Sequence, residues 1–252
     1  MGTRAGARVC RLEAADVLLV HTKHSLWGWL IRLGTRCYWN HALMVCRTGE
    51  GDGYRGTLVV DARSDGAIII GPVTAYLDRP GKYDLAVKRL EAGRLSAMDG
   101  IRLRSHICDV AVNEVDVKVG LPLAGALDRL VRQLTLIGRF IGRKLGRTRR
   151  PPVLPWSARP ADMKAFTCGG FVQWCYYIAA RRVAAESGDD RLLDGVLLNP
   201  RAGTRPTPFE LLTTTPADLA GSARLSWRYV IRNGVIEETA GIESSSPCPA
   251  AA

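Results

Sequence analysis

The sequence predicts an α+β protein in which an antiparallel sheet packs against helices. The N-terminal third carries short apolar, β-branched runs at 16–21, 41–46, 57–62 and 67–70, which are typical of strands. Helical patterns dominate the middle of the chain, and a strand pattern returns near residue 225. Strands followed by helices and a final strand favour an α+β organisation over a parallel α/β sheet.

The charge and the cysteine content indicate the kind of partner and argue against disulfide-rich and metal-binding proteins. The 252 residues carry a formal net charge of +11 and a pI near 9.7, which indicates an anionic partner. Seven cysteines without a CxxC pair, and four scattered histidines, predict neither a disulfide framework nor a metal site. We therefore expect no cofactor and a reducing, cytoplasmic compartment, and no run reaches transmembrane length.

Individual elements follow from caps and turns along the chain. A helix is expected after Ser25 as N-cap, with Gly34 as its stop. Glycine-rich 48–56 predicts a hairpin connection between the strands at 41–46 and 57–62. The remaining predicted elements are a strand at 83–87, helices at 95–112 and 123–145, a loop at 188–208, a short helix capped by Thr215, a strand at 225–231 and a hairpin turn at Asn233-Gly234.

We divide the chain into a polar lead-in (1–14), one domain (15–240) and a Ser, Pro and Ala tail (241–252) that we expect to be disordered. A helical basic insertion occupies about 113–160. Its helix has an apolar stripe and a basic face that includes Arg139, Arg143 and Lys144. That face is either the solvated side of a packed helix or a contact for an anionic membrane. Aromatic residues are not interleaved with it, so nucleic acid is not favoured.

A cysteine at a predicted helix start is the main candidate for chemistry. Thr167 is a good N-cap, and Phe171, Val172, Cys175 and Ile178 follow at helical spacing. Cys168 then lies on the first turn, where free backbone N–H groups and the helix dipole favour a thiolate and could hold an oxyanion. A small cysteine packed at a helix start remains the alternative.

A histidine and an acid on paired strands complete the candidate site. His41 begins one strand, and Asp61 lies on the strand across the glycine-rich connection, nearly opposite within one or two residues of register. An acid beside an imidazole fixes its tautomer and stabilises the imidazolium. A thiol, a histidine and an acid in this arrangement are typical of thiol hydrolases.

These residues resemble a known family. The segments Ala15 to Val20, Asn40 to Val45, Val59 to Ala62 and Thr167 to Val172 are similar to the NlpC-type permuted papain-like hydrolases. The YiiX-like branch is the nearest in pattern, and the lecithin–retinol acyltransferase group is related. The resemblance covers roughly 15–76 and 163–230. It departs at Asp61, where that branch usually has Glu, and at Gly169-Gly170, where Ser or Glu commonly follows the cysteine.

The resemblance implies a permuted papain-like fold in which Cys168 is the nucleophile, His41 the base and Asp61 the orienting acid. We expect a cysteine hydrolase or acyltransferase that acts on an amide or ester of a peptide, cell-wall peptide or lipid through a thioester. His21, Trp39, Asn40 and Gly169 are candidate substrate contacts. The alternative is a non-catalytic module on the same fold that binds an anionic membrane or an acidic partner through its basic face.

Overall fold

The computed structural model describes residues 11–49, 54–63, 67–90, 97–115, 167–199 and 206–239. The strands in these ranges are β1 (Val17–Thr22), β2 (His41–Arg47), β3 (Leu58–Ala62), β4 (Ile68–Pro72), β5 (Tyr83–Leu90), β6 (Leu225–Arg232) and β7 (Val235–Glu238). The helices are α1 (Leu26–Thr35), α2 (Thr74–Leu77), α3 (Ala97–Asn113), α4 (Cys168–Ser187), α5 (Arg191–Gly195), α6 (Pro208–Leu212) and α7 (Pro216–Ala220).

The strands form one antiparallel sheet in the order β4-β3-β2-β1-β5-β6-β7, which confirms the predicted α+β class. Side chains alternate between its two faces. Leu19, Ala42 and Met44 face the layer that contains α3 and α4, whereas Leu18 and Leu43 belong to a second apolar cluster on the opposite face. Both faces are therefore buried near the centre of the sheet.

Most of the predicted elements are present, with three corrections. The strand expected at 83–87 runs to Leu90 and is a central strand between β1 and β6. α1 ends not at Gly34 but after Thr35, where Arg36 adopts the left-handed conformation and its N–H bonds to the carbonyl of Arg32. The predicted loop at 188–208 contains the helix α5.

The end of the expected lead-in, residues 11–14, packs onto the sheet. Leu12 is buried, and Glu13 forms ion pairs with Arg89 and Arg104. Arg89 also holds the fully buried Asp16 through two hydrogen bonds of 2.7 and 2.8 Å. Asp16 is thus a structural anchor at the start of β1.

The basic insertion, from residue 116 onward, and the expected tail at 241–252 lie outside the described residues. None of the five cysteines within the described ranges forms a disulfide bond. In the same ranges, no helix combines the length and the apolar character needed to cross a membrane.

Candidate active site

Cys168 is the first residue of α4, and Thr167 caps that helix as the sequence predicted. The Thr167 hydroxyl accepts a 2.8 Å hydrogen bond from the N–H of Gly170. It also donates to the carbonyl of Thr214, and the Thr167 N–H bonds to the carbonyl of Leu212 at 3.1 Å. The cap therefore fixes the start of the helix and ties it to the connection between α6 and α7.

The two glycines after Cys168 allow the chain at 212–215 to lie directly against the helix start. A Cβ on Gly170 would lie 1.9 Å from the carbonyl oxygen of Leu212, and one on Gly169 would lie 2.8 Å from the carbonyl carbon of Thr215. These distances exclude any side chain at either position. The departure from the family pattern at Gly169-Gly170 thus has a packing reason.

A buried lysine holds the end of α7, the helix that follows the chain at 212–215. Lys88 of β5 is 1% exposed, and its ammonium donates to the carbonyls of Leu219, Ala220 and Ser222 at 2.6 to 3.1 Å. These carbonyls close α7, whose N-cap is Thr215. Burial lowers the pKa of Lys88 to about 8, so the side chain keeps its proton at neutral pH. The sheet thereby supports α7, the helix that directly follows the segment packed on Gly169 and Gly170.

His41 and Asp61 come together as the sequence predicted. The His41 Nε2 lies 2.8 Å from Asp61 Oδ1, and the two side chains are 23% and 10% exposed. Asp61 pairs with Leu43 rather than with His41, so the two residues are diagonal neighbours on one face. Because His41 is the first residue of β2, its ring stands at the end of the sheet.

Tyr76 of α2 completes the environment of the Asp61 carboxylate. Its hydroxyl donates a 2.7 Å hydrogen bond to Asp61 Oδ2, so each carboxylate oxygen has a partner. Burial would raise the pKa of Asp61, but hydrogen bonding and charge at His41, together with Tyr76, outweigh it and lower that pKa. The carboxylate therefore stays ionised beside the imidazole at neutral pH.

The His41 ring also lies close enough to the Cys168 side chain for the two groups to interact. Burial opposes protonation of the ring, but the negative charge of a Cys168 thiolate, the Asp61 hydrogen bond and the Asp61 charge together raise the pKa of His41 well above its usual value. Since Asp61 occupies Nε2, the nitrogen that remains for the sulfur is Nδ1. The three predicted residues thus form one chain of contacts, from Cys168 through His41 to Asp61.

This arrangement can stabilise a thiolate–imidazolium pair. Asp61 holds the ring in place, and the ring can take the thiol proton and return it to a leaving group. Helix geometry leaves the N–H groups of Cys168 and Gly169 without an acceptor inside α4. These two groups can donate to an oxyanion that forms beside Cys168 Sγ.

Two candidate substrate contacts are structural residues instead. Trp39 is fully buried and packs against Tyr38 and Trp227, so its prediction as a substrate contact is wrong. Asn40 is 5% exposed, and its amide bonds to the backbone of Thr22, with Oδ1 accepting from the N–H at 3.1 Å. Asn40 therefore joins the ends of β1 and β2.

His21 belongs to a neighbouring polar cluster at the same end of the sheet. Its ring stacks on Tyr38 at 3.9 Å, and Nδ1 donates to the Tyr38 carbonyl at 2.8 Å. Burial lowers the pKa of His21, with the nearby Arg32 acting in the same direction. The Tyr38 hydroxyl in turn bonds to Asp84, which is paired with Lys23. These contacts give His21 a structural role at this end of the sheet, and no observation tests it as a substrate contact.

Gly169 is buried against Thr214 and Thr215, so it can contact a substrate only through its N–H. The basic residues Arg139, Arg143 and Lys144 lie outside the described residues. Where the structure describes the chain, no three His, Cys, Asp or Glu side chains come together as a metal site requires.

Sequence reasoning missed Tyr76 and Lys88. α2 has four residues and offers no periodic pattern, so nothing indicated which side chain would reach Asp61. Lys88 directly follows the apolar run Leu85-Ala86-Val87 within a predicted strand. A lysine that continues an apolar strand was the sequence feature that could have indicated a buried, hydrogen-bonded side chain.

Comparison with known proteins assigns no family to the chain. The chain matches no protein-family model, and no curated protein matches it.

Proposed function

We propose that this protein is a cysteine hydrolase or acyltransferase with a permuted papain-like fold of the NlpC type. The observation that carries the proposal is the contact chain from Cys168 through His41 to Asp61, with the cysteine at a helix N-terminus. The order of these residues along the chain, with histidine and acid on antiparallel strands before the cysteine helix, supports the permuted arrangement. The raised pKa of His41 supports an imidazolium beside the sulfur.

The reaction begins when the Cys168 thiolate attacks the carbonyl carbon of an amide or ester. The new S–C bond forms as the carbonyl π electrons move to oxygen, and the N–H groups of Cys168 and Gly169 stabilise the oxyanion. Collapse of this intermediate expels the amine or alcohol, which takes a proton from His41. A thioester on Cys168 remains.

The second half-reaction releases the acyl group. His41, now neutral, removes a proton from water or from an acceptor alcohol or amine as its oxygen or nitrogen attacks the thioester carbonyl. The S–C bond then breaks, and the thiolate–imidazolium pair is restored. Asp61 and Tyr76 hold the ring through both steps and do not exchange protons with the substrate.

Trapping of the thioester tests the proposal. A p-nitrophenyl ester should leave an acyl group on Cys168, found by mass spectrometry of the Cys168 peptide and removed by hydroxylamine. Cys168→Ser and His41→Ala should abolish this adduct, while Cys46→Ser, which changes a half-buried thiol on β2, should leave it intact. Equal acylation of Cys46 and Cys168, or unchanged acylation in His41→Ala, would contradict the proposal.

A further inference from the structure

α1 carries a stripe of large apolar side chains that face solvent. Leu26, Trp29 and Leu33 are 72%, 50% and 59% exposed, and their spacing places them on one side of the helix. Of the α1 residues whose exposure the structure describes, only Gly28 is buried. An aligned group of exposed apolar side chains of this kind marks an interaction site more often than isolated exposed residues do.

The segment that carries this stripe has charged side chains of one sign. Residues 17–49 contain no Asp or Glu. Arg36 is exposed directly after α1, and the half-buried Arg32 lies along the border of the stripe beside His21. An apolar helix face with a tryptophan and a basic border is the pattern that binds the interface of an anionic bilayer.

The same pattern disfavours a second copy of the chain as the partner. In a two-fold dimer, the surface meets itself, so Arg32 and Arg36 of both copies would be brought together. No acidic residue of α1 or its flanks is present to pair with them. An anionic lipid surface supplies the missing negative charge.

The helix that carries the stripe packs against the residue that precedes His41. The buried side of α1 faces Asn40, since a Cβ on Gly28 would lie 2.3 Å from Asn40 Nδ2. Asn40 directly precedes His41, whose ring contacts Cys168. Leu26 and Leu33 project from the opposite side of the helix. A bilayer bound to the stripe would therefore lie on the outer side of α1, one helix diameter (~10 Å) from Asn40 and the start of β2.

We propose that the Leu26, Trp29 and Leu33 stripe of α1 docks onto an anionic phospholipid bilayer and that Cys168 acts on an acyl ester or amide held in that bilayer. Docking depends on α1 alone, whereas the choice of substrate rests on the proposed function. The thiol attacks the lipid acyl carbon as described above, so docking adds proximity and no new chemical step.

Vesicle flotation of the full-length protein tests docking. Phosphatidylcholine vesicles with phosphatidylglycerol should bind the wild type, and vesicles without it, or added salt, should weaken binding. Leu26→Ser/Leu33→Ser should lower the partition coefficient by about tenfold or more, because the variant lacks the leucine methyl groups that docking would bury in the bilayer. Ile101→Ser, an equally exposed apolar residue on α3, is the matched control and should bind as the wild type does.

Three results would overturn docking: no binding to anionic vesicles, equal binding by the double variant, or a wild-type dimer that the double variant loses in size-exclusion chromatography. Circular dichroism of the double variant should match the wild type because both leucines are exposed.

Two further measurements separate docking from chemistry. Cys168→Ala should still float with vesicles, so docking can stand while the proposed function fails. For the substrate, the double variant should release at least about tenfold less fatty acid from vesicle-embedded lipid, yet acylate normally with a soluble short-chain ester. A similar loss on both substrates, or on neither, would contradict the role of α1 in presenting lipid.

Discussion

Gly170→Ala should severely destabilise the protein because its methyl group would meet backbone atoms. The added Cβ would lie 1.9 Å from the Leu212 carbonyl oxygen and 2.3 Å from its carbonyl carbon. To reach the 3.4 Å of ordinary contact, the α4 start and the chain at Leu212 must separate by roughly 1.5 Å. No side-chain rotation can relieve this overlap.

The cost follows from overpacking and from lost hydrogen bonds. Overpacking in a close-packed region costs about 1–3 kcal/mol. Separation also weakens the 3.1 Å bond from the Thr167 N–H to Leu212, which contributes about 1 kcal/mol. We therefore expect the free energy of unfolding to fall by about 2–4 kcal/mol. Since Thr167 and Leu212 also position Cys168, thiol reactivity should fall as well.

Gly34→Ala is the matched control. Gly34 lies within α1, and a Cβ there would have no heavy atom within 4 Å. Alanine should therefore raise the free energy of unfolding by about 0.5–1 kcal/mol through helix propensity alone. Urea unfolding, followed by tryptophan fluorescence and circular dichroism, compares the two variants. If Gly170→Ala stayed within about 0.5 kcal/mol of the wild type, the close approach of Leu212 to α4 would be refuted.

Three further substitutions test the support around the site. Asp61→Asn should slow Cys168 alkylation at pH 7 by about tenfold or more, because it removes the charge that helps to raise the pKa of His41. Relative to the wild type, the loss of unfolding free energy in this variant should be largest between about pH 4 and 6.5. The lowered pKa of Asp61 stabilises the fold above about pH 4, and the raised pKa of His41 stabilises it fully below about pH 6.5. Tyr76→Phe should slow alkylation of Cys168 by a smaller factor than Asp61→Asn does, because Asp61 loses one hydrogen bond. Tyr54→Phe, which removes a surface hydrogen bond to Asp78, should leave the rate unchanged. Equal rates in the two tyrosine variants would contradict the role of Tyr76. Lys88→Met should cost about 3–5 kcal/mol of unfolding free energy because it removes three buried hydrogen bonds from a charged donor, whereas the exposed Lys82→Met should change little. Similar urea midpoints for the two variants would refute this support.

The sequence predicted the elements whose signals are local. Short apolar, β-branched runs predicted β1 to β3, and Thr167 before an apolar helical pattern predicted the start of α4. His41 and Asp61 could be paired because a short glycine-rich connection leaves few registers. The diagonal offset between them depends on a register shift after Val45, which no local pattern indicates.

Features that depend on distant segments could not be predicted. The sequence showed that Gly169 and Gly170 stand where Ser or Glu is common in the similar family. The need for glycine comes from the close approach of the chain at 212–215, more than forty residues away. Trp39 beside the base resembled a substrate contact, yet it is buried under Trp227 of β6. Tyr76 reaches Asp61 only because β3 and β4 bring α2 back over the same face of the sheet.

The most direct test of the central claim is the pH dependence of Cys168 alkylation by iodoacetamide, resolved by mass spectrometry of the Cys168 peptide. An imidazolium at His41 should keep the sulfur reactive at pH 6, where an ordinary thiol reacts slowly. We predict fast labelling at pH 6 in the wild type and its loss in His41→Ala. Labelling that follows an ordinary thiol in both proteins would contradict a histidine-activated nucleophile.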